Sequence, residues 1–278
     1  MIFNKIGIIT NEKKDLLFEH TENLINYLAG KKNIEIYKNC DYYEEDICKI
    51  CNIIIVLGGD GTMLKIVPKA SKYNVPVIGI NLGRIGFMSE IEADEINLLE
   101  SLFTGDYEIK YRMMLNVDVM NQSGEVLHAG TALNDAVVSH GVLAKLIEIE
   151  VLCDGDGIAD YRADGVIVAT PTGSTAYSMS AGGPIIDPNI ECFCVTPVCP
   201  YSLVNRPLIF SSESVLEIKN KNEDTDVYLT IDGQINVKLY ENDTVIIRKS
   251  GFAAKLITVK KHGFFNVIRD KLSGDFKI

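Results

Sequence analysis

Apolar residues follow two different rhythms along this chain. Up to about residue 112, continuous apolar runs alternate with stretches of helical spacing. KIGIIT (Lys5 to Thr10) reads as a strand. Lys14 to Leu28 carries apolar positions at helical spacing, with Gly30 as a stop signal. Ile34 to Tyr37 predicts a short strand, and NIIIVL (Asn52 to Leu57) a continuously apolar one. Thr62 to Lys72 predicts a helix, VPVIGI (Val75 to Ile80) a strand, and Asp94 to Phe103 another helix. Apolar strands without polar alternation, separated by helices, predict a parallel sheet covered on both faces.

The rhythm changes after Arg112. MLNVDVM, VLHAGTALNDAVVS, AKLIEIEVLCDG, GVIVAT, CFCVTPV, PLIFSSESVLEI, DVYLTID, DTVIIRKS and AAKLITV are nine strand-like stretches separated by turn residues. Such a succession predicts an antiparallel sandwich or β-rich layered domain. The tail HGFFNVIRDKLSG has the spacing of one last helix. The fold class is therefore an N-terminal, Rossmann-like parallel α/β domain over 1–112 and a C-terminal β-rich, sandwich-like domain over 113–259. The tail, about 260–278, is expected to pack back on the first domain. No long polar linker or internal repeat interrupts the chain.

Composition narrows the function. The chain has 278 residues, 47% hydrophobic and 23% charged, with a mean hydropathy of +0.12. It holds no apolar run near the roughly 20 residues that cross a bilayer, and MIFNKIGIITNEKK lacks a signal-peptide layout. A cytoplasmic protein is expected. The net charge of −11 argues against a broad nucleic-acid or anionic-membrane surface. An anionic small ligand would have to be held by local N–H groups, a few Lys or Arg, and a metal ion. Seven cysteines, including Cys48 and Cys51 and the group Cys192, Cys194 and Cys199, lack the partner spacing of a zinc site. Both groups are expected to be reduced, buried thiols, and no residue is assigned as a metal ligand.

Four stretches carry chemistry. IIIVLGGDGTML (Ile53 to Leu64) runs a buried strand into Gly58, Gly59, Asp60 and Gly61 and then a helix. In an open α/β sheet such a loop lies beyond the strand ends where ligands bind. The glycines let backbone N–H groups approach a phosphate chain. The loop is neither a Walker A sequence nor a GxGxxG fingerprint. Among phosphate-facing glycines, Asp60 is suited to take a proton from a hydroxyl or to hold Mg²⁺. The plainer alternative is a tight turn in which Asp60 caps the helix. DGDGIADYRADGVIVATPTGSTAYSMSAGGPIIDP (154–188) offers Arg162 for phosphate and Asp164 for a ribose hydroxyl or carboxamide. It also sets one ring, Tyr177, among small residues, as a stacking surface for a base. Ordinary packing is the alternative. Asn134 and Asp135 in TALNDAVVS fit sugar hydroxyls, or a simple Asx turn. Asp232-Gly233 in LTIDGQI reads as a hairpin turn, leaving only Gln234 as a candidate.

GGDGTML, NLGRIGFMSE, LNDAVV, YRADGVIVATPTGSTAYSMSAGGPI, CPYSLVNRPLIF and DGQ together resemble the NAD kinases in order and spacing, over almost the whole chain. The resemblance implies an active site between an α/β domain and a β-rich, dinucleotide-binding domain. It also implies phosphate transfer, with Mg²⁺, from ATP or polyphosphate to the 2′-hydroxyl of the adenosine ribose of NAD, giving NADP. On that basis Asp60 is the expected general base, and Gly58, Gly59 and Gly61 the phosphate cradle. Lys65 matches a basic position near the dinucleotide. Asn134 and Asp135 match the pair on ribose hydroxyls. Lys145, Arg162 and Asp164 match contacts often supplied by a neighbouring subunit, implying a homodimer or homotetramer with a shared site. Thr175, Ala176, Tyr177, Ser178, Met179 and Ser180 match the stretch around the adenine, and Gln234 a late contact.

The departures are few. Tyr201 stands where relatives often have His, Met179 where Leu is common, and Asp135 where many have Glu. A lipid or sugar kinase reusing GGDG, and a dinucleotide sensor without catalysis, are the competing readings. The acidic charge speaks against a membrane-facing lipid kinase, and the presence of Asp60 against the sensor.

Overall fold

The computed structural model describes residues 3–83, 86–142, 145–260 and 264–274. It divides into two compact units, Met1–Tyr111 with Ala254–Ile278, and Arg112–Ala253. Part of NLGRIGFMSE (Arg84 and Ile85) and the start of the tail stretch (His262 and Gly263) lie outside the described residues.

In the first unit, Ile53–Gly58 is buried along its whole length. Its Ile-Ile-Ile-Val run has no polar alternation because both faces are covered. The sheet runs Glu35–Lys38, Lys5–Thr10, Ile53–Gly58, Val77–Asn81, Ala254–Thr258 and Glu108–Arg112, with the short strand Ile91–Glu92 beside Val77–Asn81. Central pairing is parallel, with Ile6 opposite Ile53 and Ile54 opposite Val77. Ile53, Ile55 and Leu57 share a core with Leu24 and Leu28 of the helix Glu19–Ala29. On the other face, Ile47 of the helix Glu44–Ile50 meets Gly7 and Ile54. The helix Asp60–Lys72 buries Met63, Ile66, Val67 and Ala70.

Several boundaries differ from the sequence expectation. The first helix begins at Glu19 rather than Lys14. Before it, Phe18 turns left-handed (φ 54°), and the carboxylate of Asp15 accepts the N–H groups of His20 and Thr21. Residues 94–103 divide into a 3₁₀ turn, Ala93–Leu99, and a short helix, Glu100–Thr104. AAKLITV, grouped by pattern with the β-rich half, joins the first sheet as Ala254–Thr258, parallel to Val77–Asn81. The carboxylate of Glu90 secures the chain just past it, accepting from Thr258 Oγ1, Val259 N and Lys260 N. The tail forms the helix Phe264–Gly274, within the first unit.

The second unit is two six-stranded antiparallel sheets. One runs Asp156–Ala163, Ile147–Cys153, Leu216–Asn220, Thr244–Lys249, Leu115–Met120, Val126–Ala132. The other runs Leu208–Ser211, Cys192–Val198, Gly165–Ala169, Asp135–His140, Val227–Ile231, Ile235–Leu239. Alternating residues from both, among them Val117, Val119, Ile218, Val138, Val168 and Leu229, form one core, as a sandwich requires. Asp156–Ala163 and Ile235–Leu239 escape the sequence reading because they are edge strands with polar, largely exposed positions. VLHAGTALNDAVVS is two strands, broken at Leu133 and Asn134. The second sheet is also buried on its outer face, where Ile186 and Ala181 cover Val137, Ile167 and Cys194. The chemistry-rich segment after Ala169 is thus packed onto that sheet.

None of the seven cysteines forms a disulfide, and burial pushes the thiols of Cys48 and Cys51 up to about 12. Cys199, expected to be buried, is exposed at a left-handed turn (φ 45°) just past its strand. No helix among the described residues is long and apolar enough to cross a membrane.

Candidate active site

The strand Ile53–Gly58 delivers the chain to Gly59, extended at φ −135°, and Asp60 is the first residue of the helix that follows. Its carboxylate does not cap that helix. It reaches across the loop, where Phe87 N donates at 2.7 Å to Oδ2 and Met88 N at 3.1 Å to Oδ1. A Cβ on Gly86 would lie 1.9 Å from Asp60 Oδ1, so only glycine lets the segment close over the acid. Two N–H donors fix a carboxylate that has about four acceptor positions. The rest are available to a hydroxyl.

Lys65 stands elsewhere. Five residues on from Asp60, at 3.6 residues per turn, it projects about 140° round the helix. Its Nζ donates to Glu44 Oε1 at 2.6 Å, beside Lys69 on Oε2 at 2.5 Å. It is committed to an ion pair away from the glycine loop's acid.

In the second unit the structure brings Asn134, Asp135 and the TPTGSTAYS loop together. Thr170 N donates to Asn134 O at 2.8 Å and Thr170 Oγ1 to Leu133 O at 2.6 Å. A Cβ on Gly173 would fall 2.1 Å from Asn134 O, so the two backbones touch. Ser174 and Thr175 turn their hydroxyls onto backbone carbonyls of Pro171 and Thr172. Ser178 is buried against Thr196 Oγ1, which leaves only its backbone to face a ligand. Ala176 and Met179 are half-buried, and Ser180 is exposed. Tyr177, first residue of the short helix Tyr177–Ser180, is 46% exposed. An aromatic face open to that degree beside small residues can stack a planar ligand.

Asn134 is 6% exposed, and its Oδ1 is buried without a hydrogen-bond partner. A buried orphan acceptor costs about 1–3 kcal/mol, which a donor on a ligand would offset. Asp135 begins its strand, also 6% exposed. Burial, and then the charge of Asp232, push its carboxyl up to about 7.

Asp232 was read only as a turn residue, and it does more. Its backbone makes the turn, with left-handed Asp232 (φ 51°) and Gly233 (φ 63°) and Gln234 N donating to Ile231 O at 2.9 Å. Its buried carboxylate accepts Leu133 N at 2.7 Å, Asn134 N at 2.8 Å and Asp135 N at 3.1 Å. One acid thereby fixes the bend that presents Asn134 and Asp135. Gln234 lies exposed just beyond it.

The raised carboxyl has a solution consequence. Because its folded value lies above its ordinary 3.8, Asp135 holds its proton better in the native state. Its penalty is absent below about pH 4 and complete above about pH 7, on the order of 4 kcal/mol. Denaturant midpoints are expected to fall between pH 5 and pH 8, and Asp135→Asn to flatten that fall. An equally steep variant would remove the assignment.

Arg162 and Asp164 sit apart from this group. Asp164 lies beside His140, 3.8 Å from its Nε2, whereas Asp135 is at the other end of the same five-step strand. That separation is roughly 17 Å at about 3.4 Å per residue. Arg162 is exposed on an edge strand, its guanidinium 5.6 Å from the centre of the Tyr201 ring, and Tyr201 N donates to Arg162 O at 2.8 Å. The tyrosine at the unusual position therefore supports the arginine. Lys145 is exposed.

One unit, a parallel sheet with an acid pinned at its glycine loop, and the other, a β-sandwich presenting buried amide and carboxyl groups and an open ring, are the parts of a two-domain nucleotide-binding phosphotransferase. Residues 28–107 match the model of the ATP-NAD kinase N-terminal domain, and residues 133–259 that of the ATP-NAD kinase C-terminal domain. The chain is 38% identical to the NAD kinase of Natranaerobius thermophilus, covering 97% of this chain and 98% of that one. It is 39% identical to the NAD kinase of Geobacter sulfurreducens, over 90% and 85% respectively. The fold matches an Archaeoglobus fulgidus NAD kinase solved with ATP at a TM-score of 0.73, with 26% identity and 97% and 98% coverage. A yeast NADH kinase solved with NADH matches in fold at 0.90, with 24% identity and 100% and 89% coverage. The chain belongs to the NAD kinase family.

Proposed function

We propose that this protein transfers the terminal phosphate of ATP or polyphosphate to the 2′-hydroxyl of the adenosine ribose of NAD, giving NADP. The observation that carries the reading is Asp60, held by Phe87 N and Met88 N at the head of the glycine-loop helix, in a chain of this family. In the proposed step the 2′-oxygen bonds to the terminal phosphorus as its proton passes to an Asp60 oxygen. The bond from that phosphorus to the bridging oxygen breaks, and with ATP the leaving group is ADP. Gly58, Gly59 and Gly61 leave the loop bare for the phosphate chain. Asn134 Oδ1 and Asp135 hold ribose hydroxyls, and Tyr177 stacks on the base, with the backbone of 175–180 around it and Gln234 at its margin.

Among the described residues no cluster of three or more His, Cys, Asp or Glu forms a metal cage. Mg²⁺ would come with the donor's phosphates, since that ion is commonly held by few protein carboxylates. When bound, it neutralises phosphate charge.

Arg162 and Asp164, toward the far end of the strand from Asp135, and the exposed Lys145 suit a dinucleotide bound in part by a second copy. A homodimer or homotetramer with shared sites is our reading. A cytoplasmic location accords with seven unpaired thiols.

The test is direct. Purified protein with NAD, ATP and Mg²⁺ is expected to generate NADP, read by an NADP-specific dehydrogenase. None above a heat-killed control, despite NAD binding, would leave the sensor reading. Tyr177→Ala probes the acceptor site. Base–aromatic stacking is worth about 1–3 kcal/mol, so the KM for NAD should rise by roughly 5–150-fold, with that for ATP little changed. An unaltered KM for NAD would refute stacking.

A further inference from the structure

A lysine outside every motif lies over the glycine loop. Past the strand Lys5–Thr10, Asn11 N donates to Leu57 O at 2.9 Å, and Asn11 Nδ2 to Thr62 Oγ1 at 3.1 Å. One residue is thus fastened both to the strand entering the loop and to the helix leaving it. Lys14 N and Asp15 N then close on Asn11 O at 2.8 and 3.1 Å. Asp15 is anchored in turn by Thr21, whose N and Oγ1 donate to its Oδ2 at 2.9 and 2.7 Å. The backbone of Lys14 is therefore fixed from both sides, although its side chain is exposed.

The ammonium occupies space that two glycines leave open. Lys14 Nζ lies 2.8 Å from where a Cβ on Gly59 would stand, and 3.3 Å from that on Gly83. Gly83 is itself fixed, donating from N to Asn81 Oδ1 at 3.2 Å and accepting from Asn81 Nδ2 at 2.8 Å. The carboxylates that pair with lysines in this unit, among them Glu44 with Lys65 and Lys69, Glu95 with Lys260 and Glu100 with Lys31, take lysines other than Lys14. Lys14 has no such acid among the described residues. A lysine ammonium is a point charge that suits a phosphate oxygen, and this one stands at the glycine loop.

We propose that Lys14 is the cation that binds the phosphate chain of the donor at the glycine loop. The ligand chemistry is a linear polyphosphate, carried by a nucleoside triphosphate or free as inorganic polyphosphate. The proposal rests on the kinase reading above and adds to it the residue that holds the donor.

The test uses the full chain with Lys14→Met, which keeps the apolar stem, and Lys14→Arg, which keeps the charge. A hydrogen bond to a charged group is worth about 1.5–3 kcal/mol. The KM for ATP is therefore expected to rise roughly 10–150-fold in Lys14→Met, with the KM for NAD within about 3-fold of wild type. Lys14→Arg should recover most of the loss. With inorganic tripolyphosphate as donor, a parallel rise shows that the phosphate chain is recognised, whereas an effect with ATP alone would contradict that recognition. An unchanged KM for ATP, or a rise confined to NAD, overturns the proposal. Calorimetric titration of tripolyphosphate into wild type and Lys14→Met separates it from the parent reading. Binding that depends on Lys14 in a protein making no NADP would uphold the phosphate subsite while the kinase reading fails. Equal binding in both proteins overturns it.

Discussion

Asp60→Asn is expected to lower turnover by about 10²–10⁴-fold, the usual contribution of a general base, while the affinity for NAD stays within a few-fold. The substitution keeps nearly the same shape and one acceptor oxygen. It turns an amide NH₂ toward one of the two N–H groups, from Phe87 and Met88, that the carboxylate now accepts. Some loosening of 86–88 is therefore built into the variant, worth about 1–3 kcal/mol for a buried bond lost. A melting measurement beside the kinetics separates the two effects. A base-loss variant melts within a few degrees of wild type and still binds dinucleotide. Parallel loss of turnover, affinity and melting temperature would make Asp60 a loop fastener instead.

Asp232→Ala should have the largest effect on stability. Its carboxylate is buried and takes three backbone N–H groups, from Leu133, Asn134 and Asp135. Truncation leaves all three without their acceptor, each costing about 1–3 kcal/mol if it stays dry. Two terms oppose this. Water can enter the space, and removing the acid relieves the repulsion that helps raise the Asp135 carboxyl. A net loss of about 3 kcal/mol remains, lowering the melting temperature by roughly 6–12 °C. The bend carrying Asn134 and Asp135 should also blur, raising the KM for NAD more than that for ATP. A melting curve superimposable on wild type would show that the three N–H groups find other partners.

The contrast between these two acids shows what the sequence could carry. The glycine loop around Asp60 is legible as a place of close approach because its reasons are local: three glycines within four residues, at a strand end, and the structure brings Gly86 against the acid there. Asp232 is not, since Asp-Gly satisfies a hairpin turn and its left-handed backbone fully. The reason for its side chain lies across the sheet, 97 residues away in sequence. Lys65 had the right charge and the right neighbourhood in sequence. Helical geometry nevertheless turned it onto Glu44. Lys14 reaches the loop only because Lys5–Thr10 pairs in parallel with Ile53–Gly58, a contact that no spacing within either strand records. The two rhythms of apolar residues correctly separated parallel α/β from antiparallel β. They misplaced Ala254–Thr258, whose short apolar pattern fits either sheet, and missed edge strands whose polar residues face outward.

The central claim concerns one proton. A crystal structure of the protein with NAD bound tests it most directly, through the distance from the Asp60 carboxylate to the adenosine 2′-oxygen. The account predicts about 2.6–3.2 Å, hydrogen-bond reach for a base and the proton it removes. A carboxylate still spent wholly on Phe87 and Met88, with the 2′-oxygen more than about 5 Å away and another side chain on it, would contradict the account.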